Sequence, residues 1–163
     1  MGSVLPDLIA PNLRILFTGT AVGSASARAG AYYAGPGNAF WPTLHTVGLT
    51  PRQLSPDQYR SLLDFGIGLT DVCKVASGSD REVGGDRFDV RRFVALVAAN
   101  GPRIVALNGE RSANVVLGRS AGYGRQPDRL SGAAVWVLPS TSAAARGYWD
   151  ITVWQRLADD ARA

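Results

Sequence analysis

The chain has 163 residues, 46% of them apolar, with 17 Lys and Arg against 13 Asp and Glu for a net charge of +4. That length can bury a core without disulfide or metal staples, and no apolar run is long enough for a membrane-spanning helix. One cysteine, Cys73, excludes an internal disulfide, and His45 as the only histidine leaves no zinc or iron–sulfur ligand set.

The expectation is one domain over residues 1–163, monomeric and cytoplasmic, with no basic-then-apolar leader at its start and no metal or cofactor. An isoelectric point near 9.7 favours a polyanionic partner. Almost all the basic residues are arginine, and Lys74 is the only lysine. Schiff-base chemistry would have to run through Lys74 or the N-terminal amine.

In chain order, residues 1–12 carry two prolines and little pattern, which reads as a surface lead-in. Leu13 to Thr18 is a short buried strand that breaks at Gly19 into a loop of small residues. That loop passes Tyr32 and Tyr33 and closes on Pro36-Gly37-Asn38-Ala39-Phe40-Trp41. Phe40, Leu44 and Val47 have helical spacing over 39–47, ended by Gly48. Ser55-Pro56 starts a further helix to Asp64, and Gly66 to Val72 is a second strand. Residues 76–88 are polar and glycine-rich, as in a mobile loop. Asp89 to Asn100 is an amphipathic helix closed by Gly101-Pro102. Arg103 to Leu107 is a third strand, Glu110 to Leu117 a helix, and 118–132 a polar loop. Ala133 to Leu138 is a fourth strand, and Tyr148 to Ala161 a terminal helix. Strands alternating with helices predict an α/β three-layer sandwich: a short, mainly parallel four-stranded sheet flanked by helices. Functional residues then belong at the carboxyl ends of the strands, after Gly19, Thr70, Asn108 and Pro139.

Several signatures fail. The glycine loop lacks the Gly-Lys-Ser/Thr of a phosphate-binding loop, and Gly66-Ile67-Gly68 lacks the third glycine of a dinucleotide fingerprint. No Gly-x-Ser-x-Gly accompanies His45. His45 reads as a helix-surface residue and Cys73 as a small core residue. What the first segment does offer is close backbone approach at Gly19 to Gly23, flat tyrosine faces, and a donor and acceptor on Asn38.

Four segments together resemble the uracil-DNA glycosylase superfamily, nearest its mismatch-specific uracil/thymine and hypoxanthine branches. They are Gly19-Thr20-Ala21-Val22-Gly23, the run from Tyr32 to Trp41, Gly68-Leu69-Thr70-Asp71-Val72, and Val137-Leu138-Pro139-Ser140-Thr141-Ser142. The resemblance implies a monofunctional enzyme that flips a deaminated base out of DNA and hydrolyses its N-glycosidic bond. Uracil is the first expectation and hypoxanthine the alternative; a catalytically silent DNA-binding module on the same fold is a further one. Gly19, Thr20, Ala21, Tyr33 and Phe40 are then expected at the base, with Tyr33 as the stacking face. Ser140, Thr141, Ser142 and Arg146 are expected at the DNA, Arg146 as a wedge. Mismatch-specific relatives place an asparagine where Ala21 stands, and alanine cannot hold a water. Catalysis is therefore expected from Asn38 and Asp71 together, with their division of labour open. Asn38 also reads as a helix cap, and Asn108 as a cap or turn residue.

Overall fold

A computed structural model describes residues 4–77 and 88–163. Five strands form one sheet: β1 (Ile15–Val22), β2 (Ile67–Ser77), β3 (Ile104–Asn108), β4 (Gly124–Leu130) and β5 (Ala133–Leu138), in the order β2-β1-β3-β5-β4. The four expected strands are parallel to their neighbours, and β4 runs antiparallel to β5 at the edge. The expected polar loop over 118–132 therefore contains a fifth strand. Its sequence, GRQPDRL, hid it: an edge strand tolerates proline and charge because one of its ladders faces water.

Alternation along the strands builds two layers. Ile15, Phe17, Ile104, Ala106 and Trp136 face one side, and Leu16, Val105, Leu107, Val135 and Val137 the other. The first layer is covered by α2 (Phe40–Thr46), the 3-10 helix Pro56–Phe65 and α5 (Ile151–Arg162). The second is covered by α3 (Val90–Asn100) and α4 (Glu110–Leu117). Ser55 and Gln58 close a capping box on the Pro56 turn, and the Asp89 carboxylate accepts from the Arg92 amide. A further short helix, α1 (Ser24–Ala29), interrupts the expected small-residue loop, and a 3-10 helix (Ala143–Tyr148) precedes α5, which begins three residues later than its aromatic spacing suggested.

Among its described residues the lead-in is not all surface. Leu5 and Leu8 are buried, and Leu8 forms an antiparallel bridge to Leu69. Gly68 makes this crossing possible, because a Cβ there would lie 2.5 Å from the Leu8 carbonyl oxygen and 2.5 Å from Leu13 Cδ1. Of the loop expected over 76–88, residues 78–87 lie outside the described residues, and β2 runs on through Ser77.

Beneath the Tyr33 segment lies an aromatic stack. Tyr33 sits on Phe40 (centroids 4.0 Å, 25°), Phe40 meets Phe17 edge-on at 5.3 Å, and Phe17 stacks on Trp154 at 5.6 Å. The two buried indole N–H groups are spent on loops: Trp41 donates to the Tyr32 carbonyl (3.1 Å) and Trp154 to the Pro139 carbonyl (3.1 Å). The core thus fixes both loops that matter below.

Candidate active site

Strand lengths create the site. β1 pairs with β3 only as far as Thr18 opposite Leu107, while on its other edge it follows β2 to Val22. Beyond Thr18 the edge of β1 that faced β3 has no ladder, and a cleft of about 700 Å³ opens there. Gly19, Thr20, Ala21, Tyr33, Asn38 and Asp71 line it, together with Asn108 and Ser140 to Ser142. Residues from four expected segments thus meet in one place. The small residues at 19–22 are strand rather than loop. Asp71 likewise lies within β2, not at its end.

Asp71 lies beside Gly19 in the parallel register, and a Cβ on Gly19 would approach Asp71 Oδ1 to 2.9 Å. Its carboxylate is buried, and Oδ2 has no hydrogen-bond partner among the described residues. Lys74 Nζ is 3.7 Å from Oδ2, an ion pair longer than a hydrogen bond. Burial pushes the Asp71 carboxyl up to about 6, with the Lys74 charge pulling the other way.

Behind Asp71 is a set of paired charges that sequence reading did not find, Lys74 buried and Asp7 and Arg92 partly so. Asp7 accepts from the Thr70 hydroxyl (2.6 Å) and from Arg92 Nη1 (2.9 Å), and pairs with Lys74 at 3.2 Å. Lys74 donates to the Tyr32 hydroxyl (2.9 Å), which donates to the Pro6 carbonyl (3.0 Å). Arg92 Nη2 also donates to the Asp71 carbonyl (2.9 Å). Burial raises the Asp7 carboxyl, but Thr70, Lys74 and Arg92 together hold it below its ordinary value. The only sequence signal was a lone lysine just beyond the expected second strand, which the structure extends through Ser77.

Tyr33 has φ +54°, a left-handed conformation uncommon for a residue with a side chain. Its ring is held against Phe40 and its hydroxyl lies beside Gly19, 3.6 Å from where a Cβ there would sit. The hydroxyl is buried without a completed hydrogen bond; Asn108 faces it closely enough to favour its ionised form, but burial and then the Asp71 charge raise its pKa. Phe40 requires a correction. It is fully buried behind Tyr33 and does not line the cleft, because the Tyr33 ring occupies the face it would have offered.

Asn38 lines the cleft but is not the expected cap, since α2 is capped at Ala39; its Oδ1 accepts from the Phe40 amide at 3.0 Å in a turn that leads into the helix. The oxygen keeps a second lone pair and the amide nitrogen keeps its two donors for the cleft. Asn108, expected as a cap or turn residue, locks the far wall. Its Nδ2 donates to Thr141 Oγ1 (3.0 Å) and its Oδ1 accepts from the Thr141 amide (3.1 Å). The Thr141 carbonyl in turn accepts from the Ala39 amide at 2.9 Å, so Asn108, Thr141 and the Asn38 turn form one chain of contacts. Ser142 caps the Ala143 turn through the Ala144 amide, and the Ser140 hydroxyl accepts from the Ser142 amide. Arg146 lies outside the lining, seated over Gly37, where a Cβ would come 2.9 Å from its Nη2. Tyr123 and Tyr148, both exposed, line the mouth. His45 is exposed on α2 and Cys73 is buried in β2. Among the described residues no three His, Cys, Asp or Glu side chains come together as a metal site, and no helix is long and apolar enough to cross a membrane.

Fold and cleft define an α/β protein with a cleft at the carboxyl side of a mainly parallel sheet, where such folds place their ligand sites. A profile of the Uracil DNA glycosylase superfamily matches residues 6–158, and the chain belongs to that family, whose members are DNA glycosylases. The solution NMR structure of a proposed uracil DNA glycosylase from Methanosarcina acetivorans is similar in fold, with a TM-score of 0.71 at 22% identity over 98% of this chain and 97% of that one.

Proposed function

We propose that this protein is a monofunctional DNA glycosylase that hydrolyses the N-glycosidic bond of uracil in DNA, with hypoxanthine as its second substrate. The observation that carries the reading is the meeting of Tyr33, Asp71 and Asn38 on one cleft beside the open edge of β1. A flipped base stacks on the exposed face of the Tyr33 ring, whose other face is already held by Phe40. Its Watson–Crick edge meets Asp71. Deamination turns the ring nitrogen of cytosine or adenine from an acceptor into an N–H donor, and a carboxylate accepts from that donor. Asn38, held by its bond from the Phe40 amide, positions the water that attacks the sugar carbon as the bond to the base breaks. The sugar develops oxocarbenium character and the base departs as an anion. Backbone N–H groups of the Gly19 to Gly23 segment receive the charge on its carbonyl oxygens. Ser140 and Ser142 contact phosphates, and Thr141 holds their loop in place.

Release of free uracil from uracil-containing oligonucleotides tests the reading. Asn38→Ala is expected to lower turnover by roughly 10²-fold or more, while DNA affinity changes little. A wild-type protein that excises neither uracil nor hypoxanthine from single- or double-stranded DNA sinks the proposal and leaves the DNA-binding module in its place.

A further inference from the structure

We infer that Lys74 is a positioning residue that keeps Asp71 a hydrogen-bond acceptor, so that the cleft admits bases with a ring N–H and turns away cytosine and adenine. The second half rests on the glycosylase reading; the first is a property of the free protein.

In a regular strand, residues 71 and 74 point to opposite faces. Here the pairing of β1 with β2 jumps from Ala21 opposite Cys73 to Val22 opposite Ser77, so β2 bulges across the intervening positions. The bulge brings Lys74 within 3.7 Å of the Asp71 carboxylate. An ammonium has three N–H donors. Tyr32 at 2.9 Å and Asp7 at 3.2 Å engage two, leaving the third unspent with Asp71 Oδ2 3.7 Å away, itself without a hydrogen-bond partner among the described residues. A lysine is almost never buried to this degree unless its charge is paired.

The charges around Asp71 divide by element. Lys74 comes from β2, Arg92 from α3, Asp7 from the lead-in, and the neutral hydroxyls of Tyr32 and Tyr33 from the segment after α1. Lys74 and Arg92 favour the carboxylate, whereas burial and Asp7 oppose it. With its midpoint near 6, Asp71 is mostly ionised at neutral pH and an acceptor only. Once protonated it would also offer a donor, which the ring nitrogens of cytosine and adenine could accept. Lys74 has a second effect. It supplies the countercharge that lets a carboxylate stand beside a base that becomes anionic as it leaves.

Carboxyl ¹³C titration of the free protein tests the first half without reference to activity. Lys74→Met should raise the Asp71 midpoint by about one pH unit or more, the size expected for losing an opposite charge at this range. Asp7→Asn should lower it, because it removes a like charge and frees Lys74 for Asp71. Lys74→Arg should return the midpoint towards wild type, separating charge from packing if the methionine variant folds poorly. An unmoved midpoint, or movement in one direction for both Lys74→Met and Asp7→Asn, overturns the assignment. In the activity arm, the acid limb of the kcat/KM profile for uracil should follow the midpoints. Discrimination between uracil and cytosine should fall in Lys74→Met at pH values where its Asp71 is protonated; unchanged discrimination there overturns the second half. A wild-type protein without excision would defeat the glycosylase reading, while the midpoints would still decide the role of Lys74.

Discussion

Tyr33→Phe removes one oxygen from the cleft, and the structure assigns opposite signs to its effects on stability and activity. In the free protein the hydroxyl is buried without a completed hydrogen bond. Such a group carries a desolvation cost of about 1 kcal/mol or more. Removing it while keeping the ring on Phe40 should raise the melting temperature, by about 2–4 °C per kcal/mol recovered in a chain of this size. With a flipped nucleotide in the cleft, the hydroxyl beside Gly19 and Asp71 is placed to bond a group that lies outside the plane of the stacked base. Losing one neutral hydrogen bond worth about 0.5–1.5 kcal/mol lowers kcat/KM for uracil about 2- to 13-fold. Tyr33→Gly is the companion variant: it relieves the left-handed strain of about 1–2 kcal/mol but deletes the stacking face. Stacking is worth about 1–3 kcal/mol per base, so excision should fall about 5- to 150-fold. Thermal melts and single-turnover excision measure both. A Tyr33→Phe protein that melts below wild type would show that the hydroxyl is satisfied in the native fold. Undiminished excision would show that the hydroxyl never meets the flipped nucleotide, and that contact would be withdrawn.

Three other outcomes follow from the packing. Gly68→Ala forces a Cβ to within 2.5 Å of a backbone oxygen and of Leu13, so the Leu8 bridge must move; a loss of about 3 kcal/mol, at the upper end of overpacking costs, should appear in denaturant melts. Asn108→Ala leaves the Thr141 amide and hydroxyl without their buried partner, costing about 2 kcal/mol, and loosens the Asn38 turn through Thr141. Excision should therefore fall along with the melting temperature, and intact turnover would sever that chain of contacts. Asp71 and Asp7 should give stability opposite pH dependences. The folded state holds the Asp71 proton more tightly than the unfolded chain, so between pH 3.8 and about 6 its contribution declines as pH rises. Asp71→Asn should gain on wild type across that window by at most about 3 kcal/mol. The Asp7 contribution is present above its ordinary value and is lost as pH falls below it. Melts from pH 2 to 7 read both, and an Asp71→Asn curve parallel to wild type would contradict the raised midpoint.

The sequence by itself determined what is written in neighbouring residues. Four strands follow from apolar runs bounded by Gly and Pro, and α4 begins and ends where its pattern does, at Glu110 and Leu117. The capping boundary at Ser55-Pro56 and the family resemblance were legible for the same reason: each is a local signal. Strand β4 was not, since an edge strand needs no apolar alternation. Phe40 and Tyr33 look equivalent as letters; only packing shows that one lies behind the other. The charge cluster at Asp71 was beyond reach because Asp7 and Arg92 are far from it in the chain. Asp7 bonds Thr70 and Arg92 across separations of 63 and 85 residues, and its proline-bearing segment carries no periodicity to announce burial. Lys74 faces Asp71 only because β2 bulges after Cys73. Local pattern fixes which elements form, whereas the protonation of a buried carboxylate depends on charges that only the folded chain brings together.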